Sequence, residues 1–532
     1  MSQFSEGDSA INRLTAATVA FEKVLTEPEG TLVPMPVGLP QPSMAERLKR
    51  SLDAVTVQPE QAASQAKEAS LQASQSAAAA AQSAADAAGS AAATGYVAPP
   101  FPDVWAPLSD SLQLLAGVAP ADTITVGGTS FPLKTKSLSF SRASTATYID
   151  KSGVLQTAAV NEPRFEKEGL LIEGQSTNYF RYSNDPSQWK STGNTASALN
   201  VSVINDGNTK APTGMFTLTA DSSVLTLIGH TGTPIQVAVG DVVSASCRVK
   251  IPSNCRVRVR YGNSQGYVTG IYYDSVGNRI GTEEKTTNNS VVLGSDGYLT
   301  IKSSYIVEAA DANFFVSFLI YDVNNVNNNI AAGAVFYLQM PQSELYAQCT
   351  SFIPTSSSVA TRAADDCSSQ RSGNDNYFGP VTIAAEVHCN GQTATDGQTA
   401  SRRGILSAYP SAGEYFVMMV DASVQQTGKY AFAYGGSNFN YSADRIDDGQ
   451  IHTVCSRSTT VMNQSSVDGN QLTNPTAVAR PTPGTVTAAN QTIMIGRGAG
   501  ASASGQRMLN GHIRNLRIWH RALSDIQMKG IR

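Results

Sequence analysis

The spacing of hydrophobic positions changes character twice along this chain. Near the start, Ile11, Leu14, Ala17, Phe21 and Val24 recur at steps of three and four, which predicts an amphipathic helix. Pro28, Gly30, Pro34, Pro36, Gly38 and Pro40 end it. Ser43 then stands as an N-cap with Glu46 three residues on, a capping box, ahead of a stripe of Met44, Leu48, Leu52 and Val55. From residue 57 onward alanine dominates, interleaved with serine and glutamine. Ala62, Ala66, Ala69, Ala73, Ala77, Ala80, Ala84, Ala87 and Ala91 keep steps of three and four, a coiled-coil seam with one stutter. Alanine this abundant makes such a register easy to find by chance, so high helix propensity is the firmer reading. A lone alanine helix buries little and is marginal in water, so self-association is expected, with a flexible polar linker as the alternative.

After residue 95 the period shifts to two. A Pro-rich passage holds Trp105, expected to pack on a neighbouring domain or chain. Short strands follow around Thr123–Val126 and Ser137–Phe140, and the turns Lys151-Ser152-Gly153 and Lys167-Glu168-Gly169 separate further strands. Alternation recurs at Phe216–Thr219, Val242–Val249, Arg256–Tyr261, Gly270–Tyr273, Phe314–Ile320 and Val335–Leu338, with a hairpin turn at Asp274–Asn278. Evenly spaced short strands of this kind predict a β-sandwich. A second set begins after Tyr377 with Val381–Val387, Asp447–Val454, Val467–Asn470 and Ile493–Arg497. It closes on Leu509–Ser524, where Ile513, Leu516, Ile518 and Leu523 have the spacing of a last inward strand and a short helical turn.

At 532 residues the chain is too long for one core. Charged residues make up only 15% and the net charge is -4, which gives no electrostatic reason to bind nucleic acid. The 6 cysteines form no CxxC pair, so no zinc site is predicted from spacing. The opening residues lack an apolar signal core, and a chain made and kept in the cytosol is expected to hold free thiols. No apolar run is long enough to span a membrane.

Several of these segments resemble known families. The opening helix and the Ala45-Glu46-Arg47-Leu48-Lys49-Arg50 element resemble the virion-attachment segment of podovirus-type fibres. Ser137–Phe180, with its Asn161-Glu162-Pro163-Arg164-Phe165 and Gly169-Leu170-Leu171-Ile172-Glu173, resembles a segment common in phage fibres. Thr350–Thr355 and Thr361–Asp365 resemble the exit strand of a jelly-roll module in phage tail fibres and other virion proteins. The post-377 strands, above all the Gly511–Ser524 ending, resemble the laminin-G-like, concanavalin A-type sandwich.

These resemblances imply a mainly β chain in five parts: a virion-attachment helical domain at 1–56, an Ala-rich coiled stalk at 57–95, a collar with short strands at 96–172, a jelly-roll sandwich at 173–366 and a laminin-G-like sandwich at 374–532. The implied function is that of a phage tail fibre in the virion, a homotrimer attached to other tail or virion proteins through residues 1–56 and binding a bacterial surface glycan. A tailspike-like polysaccharide depolymerase and a purely structural virion component are the alternatives.

Candidate chemistry is sparse. With 5 histidines there is no HExxH, no GxSxG and no Ser-His-Asp pattern, and His452 is expected to pack in its strand. The E-x-D-x-E strand of concanavalin-type glycosidases is absent, so no catalytic residue is named. Glu162, Arg164 and Glu173 read as structural parts of the collar. Asp444, Asp447 and Asp448 could hold calcium as in laminin-G-like folds, but solvated turn carboxylates are the default reading, and no cofactor or metal is expected. Sugar rings stack on aromatic faces while amides bond their hydroxyls. Tyr430, Phe432 and Tyr434 share one strand face and read as core. Asn438, Phe439, Asn440 and Tyr441 follow a Gly-Gly turn and are the expected ligand contacts.

Overall fold

A computed structural model of the chain describes residues 3–93, 97–118, 121–189, 199–222, 224–228, 233–281, 285–323, 330–376, 379–391, 402–408, 416–421, 426, 428–434, 438–478, 492–498 and 507–532. It falls into two units, Met1–Tyr96 and Val97–Arg532.

The first unit is helical. Helix α1 spans Gln3–Thr26 and helix α2 spans Met44–Ala93, with the two-residue strands Leu32–Val33 and Gln41–Pro42 paired between them. The capping box forms only half-way. Glu46 N–H donates to Ser43 Oγ at 3.2 Å, but the Ser43 N–H donates to the Thr31 carbonyl. The Glu46 carboxylate therefore turns to the Gly30 N–H at 3.0 Å and to Arg50 at 2.7 Å. Helix α2 continues without a break from the Met44–Leu52 stripe through Pro59 into the alanine-rich stretch. That stretch is thus helical as far as Ala93. Met44, Leu48 and Leu52 are 42%, 64% and 62% exposed in the single chain.

The second unit is built of two β-sandwiches. The C-terminal one has an eight-stranded sheet facing a seven-stranded sheet. The first carries Val381–Asn390 between Asp448–Ser458 and Gly511–Trp519. The second runs Asn440–Arg445, Lys429–Tyr434, Phe416–Asp421, Arg402–Ala408, Thr492–Ile495, Asp366–Gln370 and Ser139–Ser141. Ile383, Val387, Ile513 and Ile518 from one sheet meet Phe416, Met418, Tyr430 and Phe432 from the other in one buried core. The closing strand ends in a short helix α3, Asp525–Lys529, capped by Ser524 and Gln527 in a full capping box.

Residues 96–172, expected as a collar, do carry short strands: Ala121–Val126 with Thr129–Ser137 and Ala146–Ile149 with Leu155–Ala158 form two separate two-stranded sheets, and the others belong to the C-terminal sandwich. Val104–Ala106 and Gly169–Ile172 both pair with Gly511–Trp519, Arg164–Glu166 extends that sheet, and Ser139–Ser141 pairs with Asp366–Gln370. Trp105, on the first of these strands, donates its indole N–H to Asn515 Oδ1 at 3.0 Å. The physical reason is ladder completion: strand edges left open by Gly511–Trp519 and Asp366–Gln370 need backbone partners.

The other sandwich is an insertion between Glu173 and Asp365. One six-stranded sheet runs Leu199–Asn205, Pro212–Leu218, Val335–Leu345, Val242–Lys250, Leu299–Ile306 and Thr286–Leu293. The facing sheet is centred on Asp311–Asp322 and Cys255–Asn263. Trp189, Phe216, Val259, Ile301 and Phe318 fill the space between. Cys247 and Cys255 lie on opposite sheets and, like the other four cysteines, are free thiols. Burial pushes the Cys255 and Cys455 thiols up to about 12.

Where the insertion leaves and returns, five charged side chains meet in the interior. Arg164 bonds Glu173 at 2.8 Å and Asp365 at 2.6 Å, Arg142 bonds Asp365 at 3.1 Å, and Arg362 lies 3.5 Å from Glu173. Glu173 N–H donates to Asp365 Oδ2 at 2.9 Å, and Asp365 N–H donates to the Glu173 carbonyl at 2.9 Å, so the two ends of the insertion are stitched side by side. Arg164 and Glu173 are therefore structural. Replacing Asp365 with Asn leaves two arginines facing one neutral amide, and the second unit should lose about 3–5 kcal/mol, read as a lower urea midpoint.

Candidate functional site

The predicted ligand segment lies at the edge of the seven-stranded sheet. Its neighbours explain its form. Phe416–Asp421 is buried on both faces. Phe416, Met418 and Val420 point into the core, whereas Val417 and Met419, with Ala431 and Ala433 of the next strand, form an apolar patch on the outer face. Phe439 and Tyr441 pack over that patch, half-buried, with ring centroids 6.1 Å apart and planes at 47°. The Arg402 guanidinium sits over the Phe439 ring at 5.2 Å. Tyr441 Oη donates to Asp421 Oδ2 at 3.2 Å, and burial, then the Asp421 charge, pushes its hydroxyl up to about 12. Asn438 is exposed beside them.

Asn440 does not join this group. It is buried at the start of the edge strand. Its amide N–H donates to the Asn474 carbonyl at 2.6 Å and its oxygen accepts from the Thr473 hydroxyl. The strand's period of two decides this: with Tyr441 outward, Asn440 must face inward. Its role is to tie the 470s loop to the edge strand. Of the four expected contacts, the structure thus groups Asn438, Phe439 and Tyr441, with Arg402 as a cationic neighbour that sequence reasoning passed over.

Tyr430, Phe432 and Tyr434 are core, as their alternation implied. The acidic turn departs from the solvated reading at Asp447. Asp447 is buried between Arg403 at 3.2 Å and Arg445 at 2.9 Å, and Asp448 bonds His452 at 2.9 Å. His452 is bracketed on its other nitrogen by Asp468 at 2.7 Å. Burial disfavours its charge, but the two carboxylates outweigh burial and raise its pKa. Asp444 and Asp448 both remain exposed.

A second polar locus lies between the sandwiches. A cleft of about 430 Å³ is lined by Tyr148, Lys302, Phe352, His388 and His512 among others. His388 and His512 face each other across neighbouring strands, with their Nδ1 atoms 3.1 Å apart. His388 Nε2 bonds the Gly449 carbonyl at 3.0 Å, and His512 Nε2 lies 2.8 Å from Glu166 Oε2. Burial, then the neighbouring His512, lowers the His388 pKa. No local pattern announces this cluster, because its members stand up to 346 residues apart.

Comparison with known proteins bears on the C-terminal sandwich. Residues 363–528, just under a third of the chain, match the family model of the Concanavalin A-like lectin/glucanases superfamily. Similar solved structures include a heptameric SAP-like pentraxin from Limulus polyphemus, at 16% identity over 29% of this chain and 69% of that one, with a TM-score of 0.22. Another is the Ruminococcus gnavus IT-sialidase CBM40 bound to alpha2,6 sialyllactose, at 12% identity over 29% and 84%, with a TM-score of 0.23. Domains LG4-5 of the mouse laminin alpha1 chain match at 14% identity over 57% and 89%, with a TM-score of 0.20. No curated protein matches the chain. The C-terminal sandwich is a laminin-G-like, concanavalin A-like domain.

The geometry separates anchoring residues from presenting ones. Asn440→Ala takes the acceptor from the Thr473 hydroxyl and the side-chain donor from the Asn474 carbonyl and should cost about 1–3 kcal/mol, seen as a lower melting temperature. Phe439→Ala should cost less than a fully buried ring, about 1–2 kcal/mol, because the ring is half-exposed.

Proposed function

We propose that this chain is a phage tail-fibre protein that attaches the virion to a bacterial surface by binding glycan through its C-terminal sandwich. The observation that carries the reading is the lectin/glucanase superfamily match over residues 363–528. The half-exposed Phe439 and Tyr441 rings, with Asn438 and Arg402 beside them, supply what a saccharide needs: flat apolar faces and polar groups at their rim. In this reading residues 1–56 dock on other tail or virion proteins. The action is binding rather than degradation.

Purified protein should block phage adsorption to host cells without leaving a halo on a lawn. A cleared halo would replace binding with depolymerase activity. The Phe439→Ala/Tyr441→Ala double variant should lose about 1–3 kcal/mol of cell-surface affinity while staying folded at the assay temperature. Wild-type affinity in a folded double variant would rule the patch out.

We also propose that the chain is a homotrimer held through α2. The exposed Met44, Leu48 and Leu52 stripe runs directly into an alanine-rich helix too poor in buried area to stand alone. Mass photometry should give three times the 56.0 kDa chain, and a monomer at micromolar concentration would remove the stalk.

A further inference from the structure

We propose that Glu166, Glu168 and His512 form a binding site for a divalent transition-metal ion of the zinc type. The proposal is independent of the glycan reading. It starts from a tight turn. Glu166 ends the strand Arg164–Glu166, and Glu168 lies in the turn into Gly169–Ile172, which pairs with the closing strand so that Leu171 faces His512. Gly169 has φ +125°, and a Cβ there would lie 2.7 Å from the Ile513 carbonyl oxygen. Only glycine lets the turn press this closely on the last strand. One ligand atom from each of the three side chains then falls within 4.8 Å of the others.

The hydrogen bonds around the cluster fix what it presents. The Gly449 carbonyl can only accept, so the His388 Nε2 facing it at 3.0 Å carries a proton. A neutral His388 then has a lone pair on Nδ1, and the proton in the 3.1 Å Nδ1–Nδ1 contact belongs to His512. His512 Nε2 is directed at Glu166 Oε2 only 2.8 Å away, a contact that needs a proton or a metal ion between the two atoms. A lone pair facing a carboxylate is repulsive unless a cation lies between them. A proton satisfies one such pair and no more. Glu168 is the group a proton leaves over: it is half-buried, has no hydrogen-bond or ion-pair partner among the described residues, and shares the same small space. Two carboxylates and one imidazole nitrogen together suit a metal.

The surroundings match what metal ligands require of theirs. Glu166 is oriented by the Ile149 N–H, which donates to Oε1 at 2.8 Å and leaves Oε2 for the ion. His512 is oriented by His388, and His388 by Gly449, the chain of support that ligating histidines commonly have. One nitrogen and two carboxylate donors favour zinc and its transition-metal neighbours over calcium or magnesium, which take oxygen alone. Glu166 and His512 also line the cleft between the sandwiches, so the position not taken by protein is open to water or to an oxygen of a bound molecule.

The test uses the full chain, stripped with EDTA and titrated with ZnCl2 by calorimetry, with Co²⁺ absorption in the visible as a second readout. The expected result is one saturable site per chain, unaffected by excess Ca²⁺, with a Co²⁺ spectrum of low coordination number. Glu168→Gln should weaken binding at least about tenfold, and the positioning variant His388→Ala by about 10- to 100-fold. Glu168→Gln decides, because it alters a turn side chain without a partner and should leave the metal-free melting temperature unchanged. No saturable binding, or wild-type binding in folded Glu168→Gln, would overturn the site.

Discussion

Everything in the second unit depends on the buried charge network that joins Arg142, Arg164 and Arg362 to Glu173 and Asp365. Burying five charges costs several kcal/mol per ion unless each finds partners. Here the partners are dense: Arg164 also donates to the Thr147 carbonyl at 3.0 Å and to Ser351 Oγ at 2.7 Å, and Glu173 Oε1 accepts from the Ser351 N–H at 2.7 Å. The Glu173 carboxyl lies well below the usual carboxylate range: burial opposes this, but Arg362, Arg164 and Ser351 more than compensate. Its contribution to stability is therefore in place above about pH 4.5 and is lost only as pH falls further, through the lowered value. An apolar cluster could fill this volume at similar cost. It could not impose one geometry on the two chain ends, whereas each arginine fork admits few arrangements.

That geometry explains how the molecule accommodates a whole sandwich inside another. The chain leaves the C-terminal fold at Glu173 and returns at Asp365, and the network holds those points one hydrogen bond apart. The outer fold is thus closed across the insertion as a hairpin is closed across its turn. The same closure draws Arg164–Glu166 and Gly169–Ile172 onto the sheet edge beside Gly511–Trp519, and so brings Glu166 to His512. The polar cluster between the sandwiches is a consequence of the stitch.

Local pattern carried much of this fold. The break at Pro28, the start of α2 after Ser43, the inward run of Ile513, Leu516 and Ile518, and the core face of Tyr430, Phe432 and Tyr434 all follow from periodicity and turn chemistry. What periodicity cannot state is which sheet a strand joins. Ser139–Ser141 and Gly169–Ile172 read as a collar because two faces can be read from alternation but a ladder partner more than 200 residues away cannot. Asn440 departs from its expected place for a related reason. Its proximity to a Gly-Gly turn suggested a loop, but the edge strand begins at Asn440 itself, and strand parity then turned its amide inward. His388 and His512 had no signal at all, since neither sits in a spacing that ligands or catalysts impose.

The geometry of Phe439 and Tyr441 makes the proposed binding surface weak one copy at a time. The outer patch of Val417, Met419, Ala431 and Ala433 has to be shielded from water, and the two rings do this with one face each. Only their other faces are available to a ligand, and Arg402 already occupies space above Phe439. A saccharide would gain stacking on one ring and a few hydrogen bonds, which together amount to about a few kcal/mol before the cost of association. Under the proposed trimeric arrangement, linkage supplies the remainder. A second and third head, tethered by a common helix bundle, meet the same surface at an effective concentration in the millimolar range, and avidity rises by about 10²–10⁴ without any new contact. In the proposed assembly, shallow aromatic patches and a long alanine-rich helix would be two parts of one solution, reversible contact at each head and durable attachment by the whole.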